Sequence, residues 1–563
     1  SHSDLVGSTS PTRSRLPRAA VDSHPRPMAV EAVRTAGVFL AELLLRWMDL
    51  VTDLLLFLVN LCKRRRSVPP IRDPLLLQSA TALAANIRQG KVSSVDAVRA
   101  YASRVSQVDP LLNAVVDERF QDALADAQRA DDLARSGALS QDELARTKPL
   151  LGVPFIVKNS VSVKGLICDV GVPAWRGHRG DRDCEVVSLL RQAGAIPVAT
   201  TNTPQLCLWT ESFNRIYGRT NNPHDTRRTC GGSSGGEGSL LSAAGALLGV
   251  GTDIGGSIRL PSFYCGTFGH MTTPGIVSSE GHRHPFSSKF MRLYSAGPMT
   301  RYACDLAPML KAMLPPGARD KLDLDAQVDL KKIRMFYVED EGCRFFSRIH
   351  ADVTTSVQRV ASHFHEVHGI STERITIEAM ACGFEMWLSL LAVSEGDPPT
   401  AAFTNADGSP INPWLEMLKS AIGRSAHSFP ALMVTILVNH LMPKPDSSYV
   451  RRYTTMAAEL RARLQSLLGD DGVLVCPTAL EPAPFHNAHA LRPGAVTLTA
   501  PVNIAGLPAT ACPVGPTRAG ERPVGVQVVP GPYRDRLCLA VASEIERAFG
   551  GWQRPCEVRC DGS

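Results

Sequence analysis

Charge of one sign is what this sequence has least of. Lysine and arginine number 60 and aspartate and glutamate 54, a formal net charge of only +6 across 563 residues. Aromatic residues make up 6% and do not interleave with the basic ones. No zinc-ligand or nucleic-acid motif accompanies them, so neither a metal nor a nucleic-acid partner is expected. The 14 cysteines are scattered and form no C-x-x-C pair, which argues for reduced, buried thiols and against a disulfide framework. No N-x-S/T acceptor with x other than proline occurs, and nothing points to the secretory lumen. What remains is a composition with 44% hydrophobic and 20% charged residues, that of a globular protein with a large core.

One stretch organises the rest. Cys230 to Pro261 reads CGGSSGGEGSLLSAAGALLGVGTDIGGSIRLP. It holds two glycine-flanked serine sites, Ser233 with Ser234 and then Ser257. Glycine there lets backbone N–H groups approach a ligand closely. Ser234 and Glu237 fit a capping box, so a helix is expected from that point. Ser233 then precedes a helix N-terminus, where the dipole favours developing negative charge. Gly249 and Gly251 read as the end of that helix. Asp253 to Ser257 follows as a tight loop whose N–H groups can converge on one oxygen, as an oxyanion hole requires.

Other readings of the stretch fare worse. A glycine-serine linker does not alternate with an apolar segment. A phosphate loop lacks its Gly-Lys-Ser/Thr. Gly232 to Gly236 formally matches G-x-S-x-G, but a nucleophile elbow follows a hydrophobic strand, and Pro223 to Cys230 is polar and turn-like.

The stretch resembles the signature of the amidase signature family of serine hydrolases. That family uses a Ser-Ser-Lys triad, with the lysine in an upstream G-V-P-F-x-V-K segment. Gly152 to Lys158 reads GVPFIVK. The resemblance covers roughly Leu75 to Trp552. It implies Ser257 as nucleophile, Ser233 as bridging serine and Lys158 as base. It also implies an oxyanion hole from Ile254, Gly255, Gly256 and Ser257, substrate contacts from Cys207 and Ser233, and no cofactor. A lysine base must be neutral, and burial in the apolar strand VPFIV favours the neutral amine. His270 is the rival base, but no orienting acid stands out near it. Two departures occur. Asn159 replaces the family's usual acid after the lysine, and Gly269-His270-Met271-Thr272 replaces G-x-K-P.

Val38 to Cys62 (VFLAELLLRWMDLVTDLLLFLVNLC) is the other informative segment. It is long enough for a bilayer at ~20 residues. Its polar residues Glu42, Arg46, Asp49, Asp53 and Asn60 fall within roughly 60° of arc on a helix. The remainder is apolar, and Lys63 to Arg66 follow as a basic cluster. Such an amphipathic helix lies in the membrane interface, or spans and hides its stripe against a partner. Packing on the protein's own body is the competing reading.

The expected organisation is a disordered segment 1–35, with Met28 as the natural start, a membrane-associating helix 36–66 and an amidase domain 67–563. The fold class is α/β, a central mixed sheet covered by helices. Helices are expected over Leu75 to Gly137, punctuated by Gly90 and Pro110. Strands are expected at Leu150–Lys158, Ala195–Thr200 and Gly472–Pro477, and in the C-terminal segments Asn503–Pro508 and Gly525–Val529. GRTNNP at Gly218 to Pro223 and FGGW at Phe549 to Trp552 resemble the family members that hydrolyse fatty acid amides. This implies N-acylethanolamines and primary fatty amides as substrates. It also implies membrane lipid as a partner, a homodimer as an open one, and a cytoplasm-facing domain at endoplasmic reticulum or lipid droplet. The alternatives are an amidase of smaller or soluble amides, an amidotransferase subunit, and a catalytically weak lipid-binding protein.

Overall fold

The structure, a computed structural model, describes residues 47, 50–284, 289–340, 349–394, 398–405, 407–492 and 494–560. Segment 1–35, and Glu42, Arg46 and Asp49 of the polar stripe, lie outside these residues. All that follows belongs to one compact unit, Asp49–Ser563.

The strands of that unit are β1 (Val115–Glu118), β2 (Pro154–Lys158), β3 (Ile196–Thr201), β4 (Phe213–Asn214), β5 (Gly218–Arg219), β6 (Leu248–Asp253), β7 (Phe268–Met271), β8 (Ser295–Thr300), β9 (Arg334–Tyr337), β10 (Thr372–Arg374), β11 (Gly472–Pro477), β12 (Ala509–Pro516) and β13 (Pro523–Pro530). β4 and β5 form a small ribbon. The other eleven make one sheet in the order β1-β3-β2-β6-β8-β7-β12-β13-β11-β9-β10. β2 runs parallel to β3 and β6, and β9 parallel to β10 and β11, while β6 to β13 pair antiparallel across the middle. The sheet is therefore mixed. Every residue of β2, β3, β6 and β11 is buried. Side chains alternate between faces along a strand, so both faces of the sheet are covered, and this is why β2, β3 and β6 are apolar until their last one or two residues.

Three expected elements come out differently. The helix after Ser234 covers only Gly235–Ser242, and Leu248–Asp253 is strand β6. Its glycines do not stop a helix. A Cβ at Gly251 would meet Met299 Sδ at 2.7 Å, so they let a central strand pass between close neighbours. Pro110 does not break its helix, which runs Ser94–Leu112 and ends at Asn113 with φ +50°. There the Asp109 carboxylate collects the Ala114 and Val115 N–H groups. Asn503 lies in a helix, Ala500–Ala505, not a strand. The apolar run Trp414 to Met442 divides into helices Pro413–Ala421 and Phe429–Ile436 and a π-helical turn Leu437–Leu441.

Residues 50–61 are helical. Leu56 and Asn60 are buried, and Asp53 pairs with Arg492. Asp53 and Asn60, the described members of the polar stripe, thus lie on the side turned to the body. Leu50, Leu54, Leu55, Leu58 and Leu61 are each more than half exposed. Among the described residues no helix is long and apolar enough to cross a membrane.

Candidate active site

The site forms where the parallel strands β3, β2 and β6 end. A parallel sheet puts the carboxyl ends of neighbouring strands at one edge, where loops gather around a ligand. Lys158 ends β2. Thr252 and Asp253 end β6, and the loop after them carries Ser257. Ser233 lies in the loop just before the helix Gly235–Ser242. Residues 75 and 99 positions apart in sequence thus meet on one sheet edge.

Lys158 is fully buried. Its Nζ hydrogen-bonds Ser233 Oγ at 2.6 Å and Thr252 Oγ1 at 2.8 Å. Ser233 and Ser257 line one polar recess of about 20 Å³, with Ser160, Thr252 and Tyr294. The two serine loops are tied directly, the Ser234 N–H donating to the Ser257 carbonyl at 3.1 Å. The three residues that the sequence singles out are therefore brought together.

Ser234 caps nothing with its side chain. Its Oγ donates to the Thr252 carbonyl and accepts the Thr252 N–H, both at 3.3 Å. The Glu237 carboxylate turns instead to the Thr201 hydroxyl. The capping box is absent because both partners are claimed by neighbouring strands.

The loop that carries Ser257 is held from below. Asp253, fully buried, accepts the N–H groups of Gly256 at 2.7 Å and Ile258 at 3.0 Å. It pairs with buried Arg259 at 3.0 Å, which also reaches Thr499 O, Gln527 Oε1 and Asn503 Oδ1. Burial pulls the Asp253 carboxyl up, but the Arg259 charge and the hydrogen bonds from Arg259 and Asn503 outweigh it and hold it at about 2. Gly256 thereby leaves the expected oxyanion set, because its N–H is committed to Asp253. The N–H groups of Ile254, Gly255 and Ser257 have no acceptor among the described residues. Gly256 has φ +124°, and a Cβ there would meet Thr499 Oγ1 at 2.3 Å, so only glycine fits.

The two departures are absorbed locally. Asn159 is fully buried and exchanges hydrogen bonds with Asp169, side chain to side chain and to the Asp169 N–H, both at 3.0 Å. The buried acid nearest in effect to Lys158 is Glu237. Burial pushes its carboxyl up to about 7, against the smaller pulls of the Thr201 hydroxyl and the Lys158 charge. His270 has an acid beside it after all. Its Nε2 contacts Asp535 at 3.1 Å and its Nδ1 contacts Thr510 at 2.8 Å. Both ring nitrogens are thus occupied and neither faces the serines. Thr252, Asp253, Arg259 and Glu237 escaped the sequence reading as functional residues, although Asp253 and Arg259 bracket the G-G-S motif itself.

Beyond Ser257 opens an apolar cavity of about 480 Å³. Ile254, Gly255 and Ser257 form one wall. Phe384, Trp387 and Leu391 come from the helix Gly383–Ala392. Met417 and Met433 close it from the two later helices, and Leu437 from the π-helical turn that follows. Trp387 Nε1 donates to the Ile254 carbonyl at 3.0 Å, joining the cavity wall to the loop that carries Ser257. Cys207 lines both the cavity and the polar recess.

Comparison with known proteins agrees with this geometry. The Amidase family's sequence model matches residues 96–539, so the chain belongs to that family and is an amidohydrolase. The chain is 40% identical over 516 residues to fatty-acid amide hydrolase 2-B of Danio rerio, covering 90% of this chain and 97% of that one. It is 38% identical over 492 residues to human fatty-acid amide hydrolase 2, covering 86% and 92%. Among solved structures, a fatty acid amide hydrolase superposes with a TM-score of 0.68 at 21% identity, covering 85% of this chain and 86% of that one. A 6-aminohexanoate cyclic dimer hydrolase superposes with 0.67 at 23%, covering 85% and 99%. These superpositions show a shared fold.

Proposed function

We propose that the protein is a membrane-associated serine amidase that hydrolyses fatty acid amides through an acyl-enzyme on Ser257. The observation that carries this reading is the apolar 480 Å³ cavity that ends on Ser257. Only a substrate with a long apolar acyl group gains from filling it. The names of the relatives at 38–40% identity point the same way.

Ser257 Oγ attacks the amide carbonyl carbon. Its proton passes to Ser233 Oγ as the Ser233 proton passes to Lys158 Nζ, across the 2.6 Å contact. The carbonyl oxygen, now negative, is met by the N–H groups of Ile254, Gly255 and Ser257. The ammonium then returns a proton through Ser233 to the amine nitrogen as the C–N bond breaks. Water repeats the sequence on the ester and frees the fatty acid. The polar recess beside Ser233 is sized for a water or a small amine group.

The exposed leucines of helix 50–61, with Trp414, Leu418 and Ile422 on the outer side of Pro413–Ala421, suit a bilayer surface as the source of substrate. A panel of acyl amides of rising chain length tests the reading, with a fluorophosphonate probe for the activated serine. Rising kcat/KM with length and labelling lost in Ser257→Ala are expected. A flat profile would mean a general amidase, and absent labelling a lipid-binding protein.

A further inference from the structure

Two helices lie side by side on the C-terminal half of the sheet. Ala351–His368 packs on β11 and β13, and Asp535–Phe549 packs on β12 and β13. His363 and His368 stand on the last turns of the first helix, and Glu544 on the second. Both imidazoles donate from Nε2 to the same oxygen, Glu544 Oε1, each at 2.7 Å. The three ligand atoms lie within 4.8 Å of one another, and the three side chains are at most 17% exposed. Arg547 adds a third set of donors, Nη2 to Oε1 at 2.5 Å and Nε to Oε2 at 2.8 Å. One carboxylate oxygen therefore takes three N–H groups, more than its two lone pairs suit.

We propose that His363, His368 and Glu544 form a binding site for a zinc-class divalent cation, which clips one helix to the other. Two imidazole nitrogens and one carboxylate oxygen suit zinc or cobalt, not the all-oxygen shells of calcium or magnesium. Zinc sits ~2.0–2.1 Å from histidine nitrogen and ~2.0–2.2 Å from carboxylate oxygen. Small side-chain rotations open the present 2.7 Å contacts enough to admit it. On binding, each imidazole carries its proton on Nδ1 and turns its Nε2 lone pair to the metal, which takes the place of the two N–H donors on Oε1. Arg547, 62% exposed, swings off Oε1 and leaves that oxygen to the metal. Water completes the fourth position.

The test is titration of the reduced, chelator-stripped full chain with zinc sulfate by calorimetry, and with cobalt by absorption. One equivalent should bind and raise Tm. His363→Gln with His368→Gln should weaken it at least about tenfold. Arg547→Ala should tighten it, since the competing cation is gone. Cobalt should give visible ligand-field bands without sulfur charge-transfer bands. Equal zinc affinity in the double variant, thiolate bands, or no rise in Tm would overturn the site. If the double variant does not fold, the Arg547→Ala affinity and the cobalt spectrum still decide.

Discussion

At the scale of single residues, the proposed proton path rests on a buried ion pair, Asp253 with Arg259. Lys158→Ala and Ser233→Ala should each cost several orders of magnitude in kcat/KM, because relay members act as a unit. Steady-state kinetics with a soluble amide checks this, and near wild-type turnover in the lysine variant would sink the relay. The base beneath is testable by stability. Arg259→Leu leaves Asp253 buried without its cation, which costs roughly 3–5 kcal/mol. Denaturant titration should show that loss. Glu237 gives a pH signature. Its folded carboxyl titrates at about 7, above its ordinary 4.5. A raised carboxyl favours folding fully below about 4.5, and that contribution is lost as pH rises through 7. Glu237→Gln should therefore match the wild type at pH 4 and exceed it at pH 8, by on the order of 3 kcal/mol. An equal gap at both pH values would mean that packing, not ionisation, sets the difference.

At the scale of elements, the informative pair is helix 50–61 and the helices around the cavity. Helix 50–61 buries Leu56 and Asn60 and turns its leucines outward. Leu54→Glu with Leu58→Glu changes only the exposed face. It should leave folding and turnover of dispersed substrate intact and reduce co-sedimentation with vesicles. Unchanged sedimentation would move the attachment to Pro413–Ala421. Sequence alone does not tell a buried core from a cavity wall, because both demand the same apolar side chains. Met417 and Leu437 prove to line a space, which is a property of how helices stand apart.

At the scale of the whole molecule, a narrow polar recess and a wide apolar cavity meet at Ser257. Each methylene seated in the cavity adds ~0.8 kcal/mol. Met417→Trp or Leu437→Trp should shorten the usable space. kcat/KM for long acyl amides should fall while short amides keep theirs, and an equal loss on both would show damage elsewhere. The family, and the Lys158, Ser233 and Ser257 that the fold brings together, were legible in Cys230–Pro261 and GVPFIVK, because a reaction needs given residue types at fixed local spacing. Helix ends and glycine roles in the same stretch were not. Ser234 and Glu237 spell a capping box, yet Thr252 and Thr201 claim them. Gly249 and Gly251 spell a helix stop, yet a central strand runs through them. Local sequence sets what a segment prefers alone. Which hydrogen-bond partner arrives from 18 or 36 residues away, which backbone presses on a glycine, and whether apolar helices close up or leave a cavity were decided only when the eleven-stranded sheet brought those segments together.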